Sequence, residues 1–262
     1  MIHRPRISII TATYNSANTL SDCLQSIRAQ TWVDVESLVI DGGSTDGTQA
    51  LVQSRFSDVV NHLVSEPDRG IYDALNKGVH ACHGDVIGLL HSDDALASPE
   101  VLHHVAQAFE DPSVQAVYGD LVYVHRTAPD KVLRLWRSQA FHPGLLRRGW
   151  MPPHPTLYLR REVFERVGHF DLGYRIAADY EHVLRVFSNP ALVAKYLPMV
   201  MVRMKAGGAS NRSLSNVLRK STEDWRAIRQ HDVGGLDTLL RKNLSKIGQF
   251  RAAGSSADTF TP

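Results

Sequence analysis

Hydrophobic and polar positions follow two different spacings in the first half of the chain. Ile7 to Ile10 form a compact apolar run, and after a turn at residues 11–15 the segment 20–27 carries apolar residues three and four positions apart. A compact run is typical of a buried strand, and the wider spacing is typical of an amphipathic helix. This stretch therefore predicts a strand followed by a helix.

The same succession returns further along the chain. Leu38 to Ile40, Val59 to Val64 and Val86 to Leu90 are apolar runs, and residues 72–79 between the last two carry a helical apolar face. Strands that alternate with helices are typical of an α/β fold. We expect a Rossmann-like, mostly parallel sheet flanked by helices.

The second half is less regular. Residues 117–136 and 157–159 have strand-like patterns, residues 161–167 predict a short helix that ends at Gly168, and residues 180–187 form a further helical face. Asp179 lies at the amino-terminal end of that last predicted helix. These patterns predict that the parallel sheet continues into a mixed edge.

Acidic loops follow the predicted strands. Asp41 and Asp46 lie in a glycine-rich and hydroxyl-rich loop, and Asp93-Asp94 follows the apolar run that ends at Leu90. Open α/β sheets bind ligands outside the carboxyl ends of their strands. Two adjacent carboxylates need a cation or hydrogen-bond donors nearby, and a divalent metal carrying a diphosphate meets that need. A solvated turn and a helix start remain alternative interpretations of the two loops.

Composition excludes some classes of protein. The 29 basic and 27 acidic residues give a formal net charge of +2, which provides no general argument for nucleic-acid binding. Cys23 and Cys82 lie far apart in predicted helices, so we expect free buried thiols and a cytoplasmic protein. The start of the chain does not have the pattern of a secretory signal, and no segment approaches the ~18 apolar residues of a membrane span.

Four blocks in this order resemble the family 2 glycosyltransferases, which have the GT-A fold. The blocks are residues 8–15 (SIITATYN), 39–48 (VIDGGSTDGT), 73–78 (DALNKG) and 90–94 (LHSDD). The resemblance covers roughly residues 5–210 and is closest to bacterial enzymes that build surface polysaccharides or glycolipids. It implies a catalytic domain over residues 1–210, with a donor half at 1–115 and an acceptor half at 116–210. Residues 211–262 would be a helical extension with a disordered tail.

The resemblance also implies a binding site for a nucleotide-diphosphate-sugar donor. The expected donor-binding residues are Thr11, Tyr14, Asn15, Asp41, Arg69, Asp73, Asn76, Lys77 and Asp93. Tyr14 would stack on a base or pack in the core, and Arg69 and Lys77 would neutralise phosphate charge or remain solvated.

The metal motif departs from the commonest family pattern. His91 stands where many members have a further aspartate, so only the Asp93-Asp94 pair remains. We expect Asp94 to bind Mg²⁺ or Mn²⁺ while Asp93 contacts the donor, because adjacent side chains on an extended segment point to opposite sides.

The acceptor half would supply a general base. Asp179 aligns with the acidic segment that precedes an apolar helix in the family, and Glu181 is the fallback base. Trp150 and His154 lie in a proline-rich segment that resembles the acceptor-side loop, and Gly207-Gly208 resembles a loop that closes over the diphosphate. Packed aromatic residues and an ordinary glycine turn are the alternatives.

The C-terminal segment predicts a basic amphipathic helix. Leu236, Leu240, Leu244 and Ile247 recur at helical spacing, and no acidic residue occurs from 238 to 257. The basic residues of this segment are Arg241, Lys242, Lys246 and Arg251. Such a helix either lies on an anionic membrane surface or packs on its own catalytic domain.

The leading hypothesis is an inverting glycosyltransferase with a glycan or lipid-linked acceptor, acting in the cytoplasm or at the inner face of the plasma membrane. A sugar-nucleotide nucleotidyltransferase is a second interpretation, although residues 11–20 contain no glycine, lysine or arginine. A non-catalytic module that binds nucleotide-sugars is a third, and it would not require Asp179.

Overall fold

The computed structural model describes residues 4–207 and 214–248. The strands are β1 (Ile7–Thr13), β2 (Val35–Asp41), β3 (His62–Ser65), β4 (Val86–Leu89), β5 (Asp94–Leu96), β6 (Ala116–His125), β7 (Ala128–Trp136), β8 (Tyr158–Arg160) and β9 (Ala194–Lys205). The helices are α1 (Leu20–Arg28), α2 (Thr48–Arg55), α3 (Ile71–Ala81), α4 (Val101–Ala108), α5 (Arg161–Val167), α6 (Ala178–Phe187), α7 (Leu214–Gln230) and α8 (Leu236–Gly248).

The strands form one mixed sheet in the order β3-β2-β1-β4-β8-β6-β9-β5, with β7 paired to β6. The first four of these strands are mutually parallel, and β8 joins β4 in the antiparallel sense. The predicted α/β fold with a mixed second half is therefore confirmed. The carboxyl ends of β1, β2 and β4 lie along one edge, which is where a ligand is expected.

Two buried apolar clusters cover the two faces of the sheet. Ile7 and Ile9 of β1 pack with α1 and α4 on one face, whereas Ile10 and Ala12 pack with α3 and α6 on the other. This arrangement follows from the two-residue alternation of side chains along a strand. Cys23 and Cys82 are both free and buried, as predicted.

The third strand begins later than predicted. Residues 59–61 were expected to be strand, but Val59 and Val60 donate backbone hydrogen bonds to the Phe56 carbonyl at 3.0 and 2.9 Å. They close the turn after α2, so β3 starts at His62. Apolar side chains in this short stretch therefore cover the end of a helix.

Helix α8 packs on the rest of the fold through polar residues, and Thr238 Oγ1 donates to the Arg147 carbonyl at 2.9 Å. Thr238 and Lys242 are buried, and Lys242 Nζ lies 2.7 Å from Asp224 Oδ2 on α7. Lys242 is therefore not part of an exposed basic face, because Asp224 neutralises its charge inside the protein. The side chains of Lys246 and Ile247, and all of Arg251 and the tail after Gly254, lie outside the described residues.

Candidate active site

Three loops meet at the carboxyl ends of β1, β2 and β4. The Asn15 backbone N–H donates to Ser44 Oγ at 2.7 Å, and the Thr45 backbone N–H donates to Asn15 Oδ1 at 3.0 Å. Ser16 Oγ and Ser92 Oγ share a hydrogen bond of 3.0 Å. The sequence blocks that follow these strands are therefore brought together in one crevice.

Asp94 has the most unusual environment in this crevice. It is only 2% exposed, and neither of its carboxylate oxygens has a regular hydrogen-bond partner among the described residues. Burial, and next the charge of Asp93, raise its pKa well above the ordinary value, and the backbone N–H and the charge of Lys205 offset only part of this effect. A buried carboxylate without a partner is costly unless a cation compensates it. The site therefore fits a hard divalent cation such as Mg²⁺ or Mn²⁺.

Asp93 points in a different direction. Its side chain is about one third exposed, and Arg126 Nη2 lies 3.8 Å from Asp93 Oδ2. The two neighbouring carboxylates are thus a buried one and an accessible one, as expected, but the segment is not extended: the Asp94 backbone N–H donates to the His91 carbonyl at 2.9 Å and closes a turn through Ser92 and Asp93. Contact between Asp93 and a donor stays a prediction, and Arg126 adds a cation that sequence analysis did not identify.

Asp179 reaches the same crevice from the second half of the chain. It lies in the first turn of α6 and is half-buried. The Tyr72 hydroxyl, on α3, donates to the Ile176 carbonyl at 2.7 Å and lies 3.4 Å from Asp179 Oδ1. Tyr72 therefore ties the donor half to the segment that carries Asp179.

Two histidines lie within electrostatic reach of Asp179. Burial lowers the pKa of His154 to about 4, and the Asp179 charge offsets only part of this effect. Burial likewise lowers the pKa of His91, against the charges of Asp93 and Asp179. Both imidazoles are neutral at neutral pH, so each can donate one hydrogen bond but adds no positive charge.

Glu181 is not available as a base. Its side chain is 1% exposed, with Oε1 2.9 Å from His231 Nε2 and Oε2 2.8 Å from Arg185 Nη2. Burial favours the neutral acid, but hydrogen bonds from His231 and Arg185 hold the pKa of Glu181 below its usual value. Glu181 is a structural ion-pair residue, and Asp179 remains the predicted base.

The predicted donor residues after β1 have different environments. The Tyr14 side chain is 65% exposed, so it does not pack in the core and remains open to a base. Asn15 adopts a positive φ of 49° and connects two loops. Thr11 is fully buried with its hydroxyl 3.9 Å from Cys23 Sγ, so the structure gives it a packing role.

Asp41 organises the loop that follows β2. It is fully buried, accepts hydrogen bonds from the Ser44 backbone N–H at 3.0 Å and from Ser65 Oγ at 2.6 Å, and is also bonded to the Ser44 hydroxyl. Its oxygens are therefore occupied by the protein. Direct contact between Asp41 and a nucleotide stays a prediction.

The predicted residues of α3 lie close to Arg69, which is in the loop before that helix. Arg69, Asp73, Asn76 and Lys77 line a shallow depression with Leu172. The side-chain hydrogen bond from Arg69 holds the pKa of Asp73 below its usual value. These residues are close together, as expected, but on the outer side of α3.

Asn76 connects α3 with the segment before α6. Its amide nitrogen donates to the Phe170 carbonyl at 2.9 Å, and its amide oxygen accepts from the Phe170 backbone N–H at 2.9 Å. Lys77 Nζ contacts Glu66 Oε1 at 2.8 Å and the Pro67 carbonyl at 2.9 Å. Both side chains therefore hold loops, and a role in donor binding stays a prediction for each.

Trp150 belongs to an aromatic cluster. It is half-buried, with its ring centroid 5.6 Å from Tyr118, 5.5 Å from Phe141 and 5.4 Å from Phe187. Packing, one of the two expected alternatives, accounts for its position. Gly207 has a positive φ of 98°, and Gly208 lies outside the described residues.

Asp68 is a candidate that sequence analysis did not identify. Its Oδ1 accepts a hydrogen bond from the Gly70 backbone N–H at 2.8 Å. A side chain at Gly42 would collide with Asp68 Oδ2 and come within 3.3 Å of the Tyr14 ring. The absence of a side chain at Gly42 thus leaves room for Asp68 to lie close to the exposed Tyr14 ring. The sequence feature that could have identified Asp68 is its position in an acidic loop after β3.

Comparison with known proteins identifies the family. Residues 8–176 match the model of the family described as "Glycosyl transferase family 2". The chain belongs to this family. A PGL/p-HBAD biosynthesis glycosyltransferase of Mycobacterium tuberculosis is 34% identical over 220 residues, which cover 79% of this chain and 80% of that relative. The O-antigen biosynthesis protein RfbC of Myxococcus xanthus is 28% identical over 238 residues, but these make up 18% of that longer protein.

Solved structures of glycosyltransferases share the fold. A mannosyltransferase of Pyrobaculum calidifontis, solved with GDP-Man and Mn²⁺, has a TM-score of 0.66 at 20% identity, covering 99% of this chain and 77% of that one. TarS 1–349 of S. aureus, solved with UDP-GlcNAc, has a TM-score of 0.66 at 15% identity, covering 97% of this chain and 75% of that one. The expected GT-A fold is confirmed. Within residues 4–207 and 214–248, no helix is long and apolar enough to cross a membrane.

Proposed function

We propose that this family 2 glycosyltransferase is a metal-dependent, inverting enzyme. It transfers a sugar from a nucleotide-diphosphate-sugar to a hydroxyl group of a glycan or lipid-linked acceptor in bacterial polysaccharide or glycolipid biosynthesis. The observation that carries this proposal is the buried carboxylate of Asp94, whose oxygens have no regular hydrogen-bond partner among the described residues, next to Asp93 and in a region where Asp93 and Asp179 both act on His91.

Asp94 would hold Mg²⁺ or Mn²⁺, and Asp93 would contact the donor beside it. The cation supplies positive charge for the nucleotide diphosphate, whose negative charge increases as it departs. Arg126 lies at this side of the crevice and adds a cationic hydrogen-bond donor for a phosphate oxygen. Tyr14 offers its exposed ring to the base, and Asp68 offers a carboxylate oxygen beside it.

Asp179 is the proposed general base. Its carboxylate accepts the proton of the acceptor hydroxyl while the hydroxyl oxygen forms a bond to the anomeric carbon. The bond from that carbon to the diphosphate breaks, and its electron pair remains on the diphosphate oxygen. A single displacement of this kind inverts the anomeric centre. Tyr72 positions the segment that carries Asp179, because its hydroxyl donates to the Ile176 carbonyl.

The comparisons support two parts of this proposal: a nucleotide-sugar as the donor, and polysaccharide or glycolipid biosynthesis as the process. Two structures with the same fold were solved with GDP-Man and with UDP-GlcNAc, and the first also with Mn²⁺. Curated relatives act in PGL/p-HBAD and O-antigen biosynthesis. Family membership favours the glycosyltransferase over the nucleotidyltransferase interpretation.

The C-terminal extension offers a face for peripheral membrane contact. Leu236, Leu240 and Leu244 follow one another at four-residue spacing and are 64%, 61% and 60% exposed. Exposed leucines at this spacing form one apolar stripe on α8, and Arg241 lies beside it. We include contact with the inner face of the plasma membrane in the proposal, since a lipid-linked acceptor would be presented there.

The experiment is nucleotide release from UDP-, GDP- and dTDP-sugars with Mg²⁺ or Mn²⁺. The wild-type protein is compared with Asp94→Asn, and Asp111→Asn on the exposed surface is the matched control. We expect metal-dependent release from one donor, lost in Asp94→Asn and retained in the control. Release that Asp94→Asn leaves unchanged would contradict the metal assignment. No release and no metal-dependent nucleotide binding would contradict the enzymatic function.

A further inference from the structure

A second cluster of metal-binding side chains lies at the opposite end of the sheet. Glu36, His62 and His83 place one ligand atom each within 4.8 Å of one another. Glu36 is the second residue of β2, His62 is the first residue of β3, and His83 precedes β4. The three side chains therefore meet at the amino ends of the strands, whereas Asp94 lies beyond the carboxyl ends.

One oxygen of Glu36, Oε2, is held by hydrogen bonds from the protein. Glu36 Oε2 accepts hydrogen bonds from Ser8 Oγ at 2.5 Å, from the His83 backbone N–H at 2.7 Å and from the Gly84 backbone N–H at 3.3 Å. A side chain at position 84 would collide with Ser8, so glycine permits this close approach. Hydrogen bonds to the distal oxygen are how proteins orient a carboxylate ligand.

The other oxygen of Glu36, Oε1, faces two imidazole nitrogens. Glu36 Oε1 lies 3.1 Å from His83 Nδ1 and 3.5 Å from His62 Nε2. Ligand atoms of a tetrahedral zinc ion with bonds of ~2.0–2.1 Å lie about 3.3 Å apart. The two distances from Glu36 Oε1 to the imidazole nitrogens lie on either side of this ligand-to-ligand distance. The histidine side chains are 46% and 69% exposed, so their rings are free to turn toward a common ion.

We propose that Glu36, His62 and His83 bind a zinc ion that is distinct from the catalytic metal. Two imidazoles and one carboxylate are a known zinc ligand set, and water would complete the tetrahedron. This set does not suit Mg²⁺, which prefers oxygen ligands and several waters. Glu36 lies near the amino end of β2 and Asp41 at its carboxyl end, about 17 Å apart, so the proposed zinc site and Asp94 lie at opposite ends of the sheet.

Arg6 is the group that competes with the ion. Arg6 Nη2 lies 3.8 Å from Glu36 Oε1, and Arg6 Nε lies 3.9 Å from Asp34 Oδ1. The arginine side chain is 43% exposed, so it can turn toward Asp34 when a cation occupies the carboxylate. A zinc ion would connect the starts of β2 and β3 with the segment before β4, and its effect would be on stability.

Zinc titration of the metal-free, untagged full chain tests the proposal. We expect one Zn²⁺ per chain by calorimetry and, at a hundredfold excess over Kd, a rise in melting temperature of about 5 to 10 °C. Excess Mg²⁺ should not compete. His62→Ala and His83→Ala should each weaken zinc binding at least tenfold, whereas His103→Ala/His104→Ala, which removes two exposed histidines of α4, should not.

Asp94→Asn separates this site from the catalytic one, because zinc binding should survive that substitution. Zinc binding that is lost in Asp94→Asn and unchanged in the His62 and His83 variants would overturn the proposal. Absence of any zinc-dependent shift in melting temperature would also overturn it and would show that the cluster is an ion-pair network only. Glu36 is buried, so the test substitutes the two exposed histidines rather than Glu36.

Discussion

Glu223 on α7 is predicted to position the general base. Its carboxylate accepts backbone hydrogen bonds from Arg175 at 3.1 Å and from Ile176 and Ala177 at 2.9 Å each. These three residues lead directly into α6, which carries Asp179 in its first turn. A carboxylate at a helix amino terminus also interacts favourably with the helix dipole.

Glu223→Ala removes the acceptor for all three backbone donors. The Ala177 donor is fully buried and would remain unsatisfied, whereas Arg175 is exposed and its N–H can reach water. An unsatisfied buried donor costs about 1–3 kcal/mol, and loss of the two other charge-assisted bonds brings our expectation to roughly 2–4 kcal/mol. For a domain of this size, the melting temperature should fall by about 5 to 12 °C.

The effect on catalysis should exceed the effect on donor binding. A displacement of a catalytic group by about 1 Å can cost on the order of a hundredfold in rate. We therefore expect kcat of Glu223→Ala to fall about a hundredfold with donor Kd unchanged, with Glu223→Gln intermediate because its amide retains one acceptor oxygen. Steady-state kinetics and donor calorimetry at a temperature where each variant is folded provide the measurement.

Glu165→Ala is the matched control, because Glu165 is exposed on α5. It should leave the melting temperature and kcat at their wild-type values. A folded Glu223→Ala enzyme with wild-type kcat would refute the reasoning, since the lost hydrogen bonds would then have no influence on Asp179. A loss of donor binding equal to the loss of kcat would also contradict it.

Two further predictions concern pH and the membrane. Burial lowers the pKa of His154 from its usual 6.5 to about 4 in the folded state, so the unfolded chain binds more protons in this window and the free energy of unfolding falls as pH falls from 6.5 toward 4. Across the window the wild type should lose up to roughly 3 kcal/mol more unfolding free energy than His154→Gln in denaturant titrations, and equal losses would contradict the shift. Leu236→Ser/Leu240→Ser/Leu244→Ser should lose sedimentation with anionic liposomes while keeping the wild-type melting temperature, because these side chains are exposed; unchanged sedimentation would remove α8 as the membrane contact.

Local pattern was sufficient for most of the fold. Strands β1, β2 and β4 and helices α1, α3 and α6 occur where apolar spacing predicted them. The acidic residues after β2 and β4 could be placed at one edge because parallel strands share their direction. The separation of Asp93 and Asp94 into an accessible and a buried carboxylate was expected, but alternation along an extended chain is not its cause, since a turn at Ser92 and Asp93 precedes β5.

Long-range contacts could not be predicted in this way. Asn76 bonds to Phe170, and Glu223 bonds to residues 175–177, across many residues of chain with no local signal. The sequence left open whether the helix carrying Lys242 lies on a membrane or packs on the protein, and only the contact with the buried Asp224 carboxylate shows that Lys242 is in the interior. Glu181 lies two positions from Asp179, and only its tertiary partners show that it is structural.

Asp179→Asn tests the central claim most directly. Asparagine keeps the shape of the side chain but cannot accept a proton, so the account predicts that donor and metal binding stay within twofold of wild type while turnover falls at least a hundredfold, toward the limit expected when a general base is lost. Turnover is measured as nucleotide release with the donor identified in the panel, and binding is measured by calorimetry on the same preparation. Undiminished turnover in Asp179→Asn would contradict the account.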